Sequence, residues 1–371
     1  MPAPSPRKHA RPRTRGWSGK RILVPVAALI MLVGGGGALY FRAEVGPLFT
    51  SARPLETGRV PAPPKGDCTA APTLKQGPEC GAWFGVYVPP RGDSLLASLD
   101  ALEGGVGRRF DIVFAYHDMS TTENGRLLRG DEPEIGRDRL LLLGWESELW
   151  DSGRNIPWRD IASGAVDRTV IDPQAQRIKE YGRPVLIGFD GEMELREDSG
   201  SPEEYVAAYR HIVDRFRALG VDNVAWVWGV TGYLDYRDQW KAFYPGDTYV
   251  DWISYDPYNF ARCRNAGWQT FEETVRPAHD WFVRNGFGDK PFVISEYGTE
   301  TDPDRPGARG EWYNEVPEVL KRLPRIKAVL QWNAVDAAGC DFRLEGPGVL
   351  PAFSGAGRDP YLNQDLPKSG S

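Results

Sequence analysis

The chain has 371 residues, of which 41% are hydrophobic and 12% aromatic, enough apolar side chain to form one large core or two small ones. Its formal net charge is −6, yet Arg7, Lys8, Arg11, Arg13, Arg15, Lys20 and Arg21 crowd the first 21 residues and leave the rest clearly acidic, which argues against a nucleic-acid partner. The four histidines share no ligand spacing and no serine sits in a nucleophile elbow, so neither a metal centre, a cofactor nor a serine nucleophile is expected.

After a basic, cytoplasmic segment (1–21), residues 22–41 read ILVPVAALIMLVGGGGALYF, twenty residues without a charge and just long enough to span a bilayer. A signal-anchor helix in the membrane is preferred to a cleaved signal peptide, because no clean small-x-small site precedes the end of the run. Under either reading the positive-inside rule places everything beyond residue 42 outside the cytoplasm. Residues 42–75 are rich in Pro, Gly, Ala and Ser and read as a semi-rigid linker. The cysteines are Cys68, Cys80, Cys263 and Cys340, an even number suited to two disulfides in an oxidising compartment. Three pairings are open; Cys68 with Cys80 closes the shortest loop, which leaves Cys263 with Cys340.

Residues 76–354 alternate short apolar runs with amphipathic helical stretches. Strands are expected at 82–88, 110–116, 139–145, 184–190, 223–229, 250–256, 291–297 and 327–333, the number a (β/α)8 TIM barrel needs. The clearest helix begins at Ser201 as N-cap, with Pro202 in the first turn and Glu204 closing a capping box, and stops at Gly220. Its apolar positions Tyr205, Ala208, Tyr209, Ile212, Phe216 and Leu219 share one face. Strand, helix, strand implies parallel pairing, and the absence of a Gly-rich phosphate loop disfavours a doubly wound open sheet. Residues 355–371 read as a flexible tail.

Functional side chains in such a barrel stand at the C-terminal strand ends. The fourth strand runs out into Asp190, Glu192 and Glu194, which strict alternation would put on the face of Leu186 and Gly188. Glu296 ends the seventh strand, on the expected face of Phe292 and Ile294. Two carboxylates converging at one mouth suit retaining glycoside hydrolysis, in which one attacks the anomeric carbon and the other protonates the leaving oxygen across about 5 to 5.5 Å. Asp190 and Glu194 would bring negative charge close to Glu192 and favour its protonated form. Trp145, Trp226, Trp228, Trp252, Tyr255, Tyr258 and Trp332 lie in or just past strands; half are expected to be packing, with Tyr258 and Trp332 chosen for the site.

The stretches YPGDTYVDWISYDPYNF from Tyr244, KPFVISEYGTE from Lys290 and YGRPVLIGFDGEMEL from Tyr181 resemble glycoside hydrolase family 26, the β-mannanases and related β-glycanases. The resemblance covers roughly residues 82 to 345. It implies a retaining double displacement with Glu192 as acid/base and Glu296 as nucleophile, Tyr258 bonded to that nucleophile, and Trp332 as a sugar platform. The pattern departs where the family's usual Arg, His and Asn around the acid/base are replaced by Gly188, Gly191 and Glu194. Further sugar contacts are expected from Trp145, Glu146, His117 and Asp190. The reading is a monomeric extracytoplasmic hydrolase of a β-linked polysaccharide such as mannan. Its rival is a catalytically silent glycan-binding barrel or an envelope polysaccharide-remodelling protein, suggested by the stripped fourth-strand motif.

Overall fold

A computed structural model describes residues 71–92 and 94–368; the expected span at 22–41 and Cys68 lie outside the described residues. Among the described residues, no helix is long and apolar enough to cross a membrane.

Each of the apolar runs becomes a strand: β1 Trp83–Tyr87, β2 Ile112–Asp118, β3 Leu140–Glu146, β4 Val185–Phe189, β5 Val224–Val230, β6 Trp252–Tyr255, β7 Phe292–Thr299 and β8 Ile326–Trp332. Every neighbouring pair is parallel, and β8 returns to β1 with Trp83 opposite Ala328 and Tyr87 opposite Trp332, which closes the (β/α)8 barrel. The longer helices are α1 Leu95–Val106, α2 Asp172–Tyr181, α3 Pro202–Ala218, α4 Phe271–Phe282, α5 Ala308–Lys321 and α6 Val349–Gly357. The links from β2 to β3 and from β5 to β6 carry no long helix, only the short helical segments Glu123–Gly125 and Glu132–Ile135 in the first and Leu234–Tyr236 and Arg237–Trp240 in the second.

Helix α3 shows how local chemistry sets its limits. The Ser201 side chain accepts from the Glu204 backbone while Glu204 accepts from Ser201 N, so two otherwise orphaned donors are satisfied. Gly220 follows at φ +71°, a left-handed stop that glycine takes without strain.

Because strand side chains alternate, the barrel has two separate apolar layers. Ile112, Phe114, Leu142, Leu186, Val227 and Val293 fill its interior, whereas Val113, Trp145, Phe189, Trp226, Trp228 and Ile253 face the helices. At the N-terminal end Leu74, Trp83 and Trp252 form a plug: Trp252 Nε1 donates to Leu74 O at 2.8 Å, Trp83 Nε1 donates to Asp365 O at 2.9 Å, and the two indoles stack at 5.7 Å. This alters two expected segment limits. Residues 71–75 belong to the barrel floor instead of the linker, and the expected flexible tail is packed as far as the structure describes it. Leu362 is fully buried in the core layer beneath the helices and its carbonyl accepts from Arg108 at 2.8 Å, while Leu366 packs against the apolar cluster at the barrel end.

Cys263 and Cys340 are bonded, with Cα atoms 5.6 Å apart. The bond ties the loop after β6 to the loop after β8.

Candidate functional site

The inward alternation delivers Tyr116 from β2, Glu146 from β3 and Gly188 from β4 to one cavity at the C-terminal mouth. Glu192, Arg196, Asp256 and Glu296 complete its polar lining, over a floor that includes Phe114, Leu142 and Val227. Glycines at 144, 188 and 229 line the same cavity and leave it open between β3 and β5.

Two backbone departures, neither visible as alternation, bring the carboxylates together. Strand β4 stops at Phe189, and the chain then turns through Asp190 at φ +40° and Glu192 at φ +55°, left-handed conformations uncommon for either residue. Backbone pairing fixes the turn, since Asp190 N donates to Trp145 O at 3.0 Å and Glu192 N donates to Gly229 O at 3.1 Å. The acidic triplet is therefore dispersed instead of sharing one face. On β7, Val293 points into the barrel while Phe292 and Ile294 face the helices, so strict alternation from them would have turned Glu296 outward. A bulge between Ile294 and Tyr297 inserts one extra residue, and Ser295 and Glu296 both line the cavity. The bulge, and not alternation from Phe292 and Ile294, brings Glu296 to the mouth.

Glu296 receives two phenols. Tyr258 Oη donates to Oε2 at 2.7 Å, and Tyr116 Oη donates to Oε1. Tyr258 is set there by the two-residue strand Tyr258–Asn259, which pairs with Gly298 and Thr299 of β7. Burial and the Glu296 charge push the Tyr258 phenol well above its ordinary range, so it remains a donor. Behind Glu296, Asp256 accepts from Ser295 Oγ at 2.5 Å. Burial, then the charges of Glu296 and Glu192, raise the Asp256 carboxyl well above the usual carboxylate range.

Arg196 spans the other side. Its Nε donates to Gly191 O at 3.0 Å and one terminal nitrogen donates to Glu146 Oε1 at 3.0 Å. Burial opposes its charge, but Asp190, Glu146 and Glu192 outweigh it and hold the guanidinium more firmly protonated.

Several expected contacts take other places. Asp190 is fully buried and accepts from Ser147 N at 2.8 Å, Ser147 Oγ at 2.6 Å and Trp158 Nε1 at 2.6 Å, so it braces the turn and cannot reach a sugar. Trp145 is fully buried among the helices, edge-on to Phe216, because it neighbours inward-facing Glu146 and must point the opposite way. The same rule turns His117 outward from Tyr116; it is fully buried, with Nε2 3.2 Å from Glu132 Oε2. Of the remaining candidates, Glu146 lines the cavity, while Trp332 stacks on Tyr87 at 5.5 Å and meets the edge of Tyr258. Tyr116, Arg196 and Asp256 were not singled out from sequence. Tyr116 carries a usable signal in the sequence, being in phase with Phe114 on β2.

A closed parallel barrel whose fourth and seventh strands lead a glutamate each into one mouth cavity has the architecture of a glycosidase-type barrel. Residues 167–323 match the family described as Glycosyl hydrolase family 26. Endoglucanase H of Acetivibrio thermocellus is 29% identical over 261 residues, covering 64% of this chain and 26% of that protein. A β-1,3-xylanase of an Alcaligenes species is 26% identical over 210 residues, or 56% of this chain and 40% of its own length. The chain thus spans less than half of either relative. In fold it is similar to the β-mannanase BoMan26A of Bacteroides ovatus, at TM-score 0.56 and 19% identity over 81% of this chain and 93% of that one. A modular endo-β-1,4-mannanase from Cellulomonas fimi superposes at TM-score 0.55 and 19% identity, covering 81% of each chain.

Proposed function

We propose that the barrel hydrolyses a β-linked polysaccharide with retention of anomeric configuration, Glu296 acting as nucleophile and Glu192 as acid/base. The observation that carries this reading is that both glutamates line one cavity although they arrive from opposite parts of the barrel. In the first step a Glu296 oxygen bonds to the anomeric carbon as the glycosidic C–O bond breaks, and Glu192 gives its proton to the departing oxygen. Water then attacks the glycosyl ester, giving its proton to Glu192 and releasing Glu296 as carboxylate. Trp332, backed by Tyr87, offers a face for a pyranose ring, and the Arg196–Glu146 pair offers polar contacts to hydroxyls.

A glucan, xylan or mannan backbone is the substrate class, since the relatives named above are by name an endoglucanase, a β-1,3-xylanase and β-mannanases. The domain works outside the cytoplasm, tethered through residues 22–41; the bond between Cys263 and Cys340 supports an oxidising compartment.

The test is reducing-end release from a panel of β-glucans, β-xylans and β-mannans. Glu192→Gln and Glu296→Gln should each lower turnover by at least about 1,000-fold with unchanged melting temperature, consistent with loss of a nucleophile or of acid/base assistance. Full activity in both variants would overturn the assignment. Binding without release by the unaltered protein would instead identify a glycan-binding barrel, the reading suggested by Gly188, Gly191 and Glu194.

A further inference from the structure

We propose that Tyr116 is a second positioning residue for the nucleophile, holding one oxygen of Glu296 while Tyr258 holds the other, in space provided by Gly144. The inference rests on Glu296 being the nucleophile. Its basis is a layer of the barrel in which Tyr116 lies opposite Gly144, and Gly144 opposite Gly188. A Cβ at Gly144 would stand 2.8 Å from Phe114 Cε2 and 3.3 Å from Tyr116 Cδ1, so any larger residue there would displace these two rings. With glycine present, the Tyr116 ring packs on Phe114 at 4.3 Å and edge-on to Tyr87 at 4.9 Å, and its hydroxyl crosses the mouth to Glu296.

The two contacts are chemically complementary. Tyr116 and Tyr258 reach Glu296 from β2 and from beyond β6, one on each oxygen, so the carboxylate plane is set by both. Hydrogen bonds to a carboxylate favour its charged form, which is the attacking form and also the leaving group of the second step. No proton need leave either phenol. The other titratable or charged groups that share this cavity are Glu146, Glu192, Arg196 and Asp256, so the effect of Tyr116 has to be read on Glu296 itself.

A suitable readout is the 13C titration of side-chain carboxyl signals in protein labelled at glutamate, with Glu296 assigned through Glu296→Gln. In Tyr116→Phe the Glu296 midpoint should rise by about 1, the worth of one charge-assisted hydrogen bond. The kcat on the best polysaccharide should fall about 10- to 100-fold, with KM within about threefold, since the ring that shapes the cavity is kept. An unchanged midpoint in a folded Phe variant would overturn the proposal. Should that variant not fold, Glu296→Gln serves alone: the ring 13Cζ signal of Tyr116 should move with that of Tyr258, and a stationary Tyr116 signal would overturn it equally. Because neither titration needs turnover, a shifted midpoint in a chain that hydrolyses nothing would retain the contact and reject the nucleophile reading.

Discussion

Asp190, Glu192 and Glu194 alternate in sequence yet end in three environments. Asp190 accepts three hydrogen bonds behind the turn, Glu192 lines the cavity, and Glu194 folds back against β5. Glu194 Oε1 accepts from Thr231 N at 2.8 Å, Thr231 Oγ1 at 2.9 Å and Trp240 Nε1 at 2.9 Å. Burial nevertheless outweighs these bonds and raises its carboxyl to about 7, against an ordinary 4.5. A carboxyl whose folded pKa is raised binds more protons in the folded than in the unfolded state between those values, so its contribution to stability falls as pH rises from about 4.5 to about 7. Glu194→Gln should remove that slope, and the melting-temperature difference between variant and parent should shift in the variant's favour from pH 4.5 to pH 7. A constant difference across the range would contradict it. What sequence showed at this scale was residue type and strand end. The left-handed turn that sends three carboxylates three ways was not legible, because contacts distant in sequence enforce it: backbone pairing to Trp145 and Gly229, and the bonds that Asp190 accepts from Ser147 and Trp158.

At the scale of elements, the apolar runs and the caps of α3 were legible because each is a local pattern with a local cause. Facing was legible only where alternation holds. It separates Glu146 from Trp145, and Tyr116 from His117; on β7 it misleads, because a bulge is one inserted residue with no signature in the run FVISEY. The disulfide matters at this scale too. It joins the loops that follow Tyr258 and Trp332, whose rings meet edge to face at 6.3 Å. Cys263→Ser with Cys340→Ser should cost about 2 to 4 kcal/mol of stability. It should also raise KM several-fold more than it lowers kcat, as the platform loosens while Glu296 keeps its donors. Equal effects on both constants, measured with and without reductant in the parent protein, would show that the bond serves stability alone.

The whole molecule divides its labour along the barrel axis. The N-terminal end is closed by Leu74, Trp83, Trp252 and the last described residues, where long-range contacts span nearly the full domain. That closure was not legible, because the covering segments are Pro- and Gly-rich and acquire their role only from the surface they meet. The C-terminal end stays open over small residues and gathers the charged ones. Retention of configuration is the outcome that the proposed double displacement at this mouth predicts. Proton NMR of the anomeric signals during the first minutes of hydrolysis of the most reactive β-glycan measures it directly. The β-anomer of the new reducing end should appear first, with the α-anomer growing later by mutarotation; initial appearance of the α-anomer would contradict the double displacement.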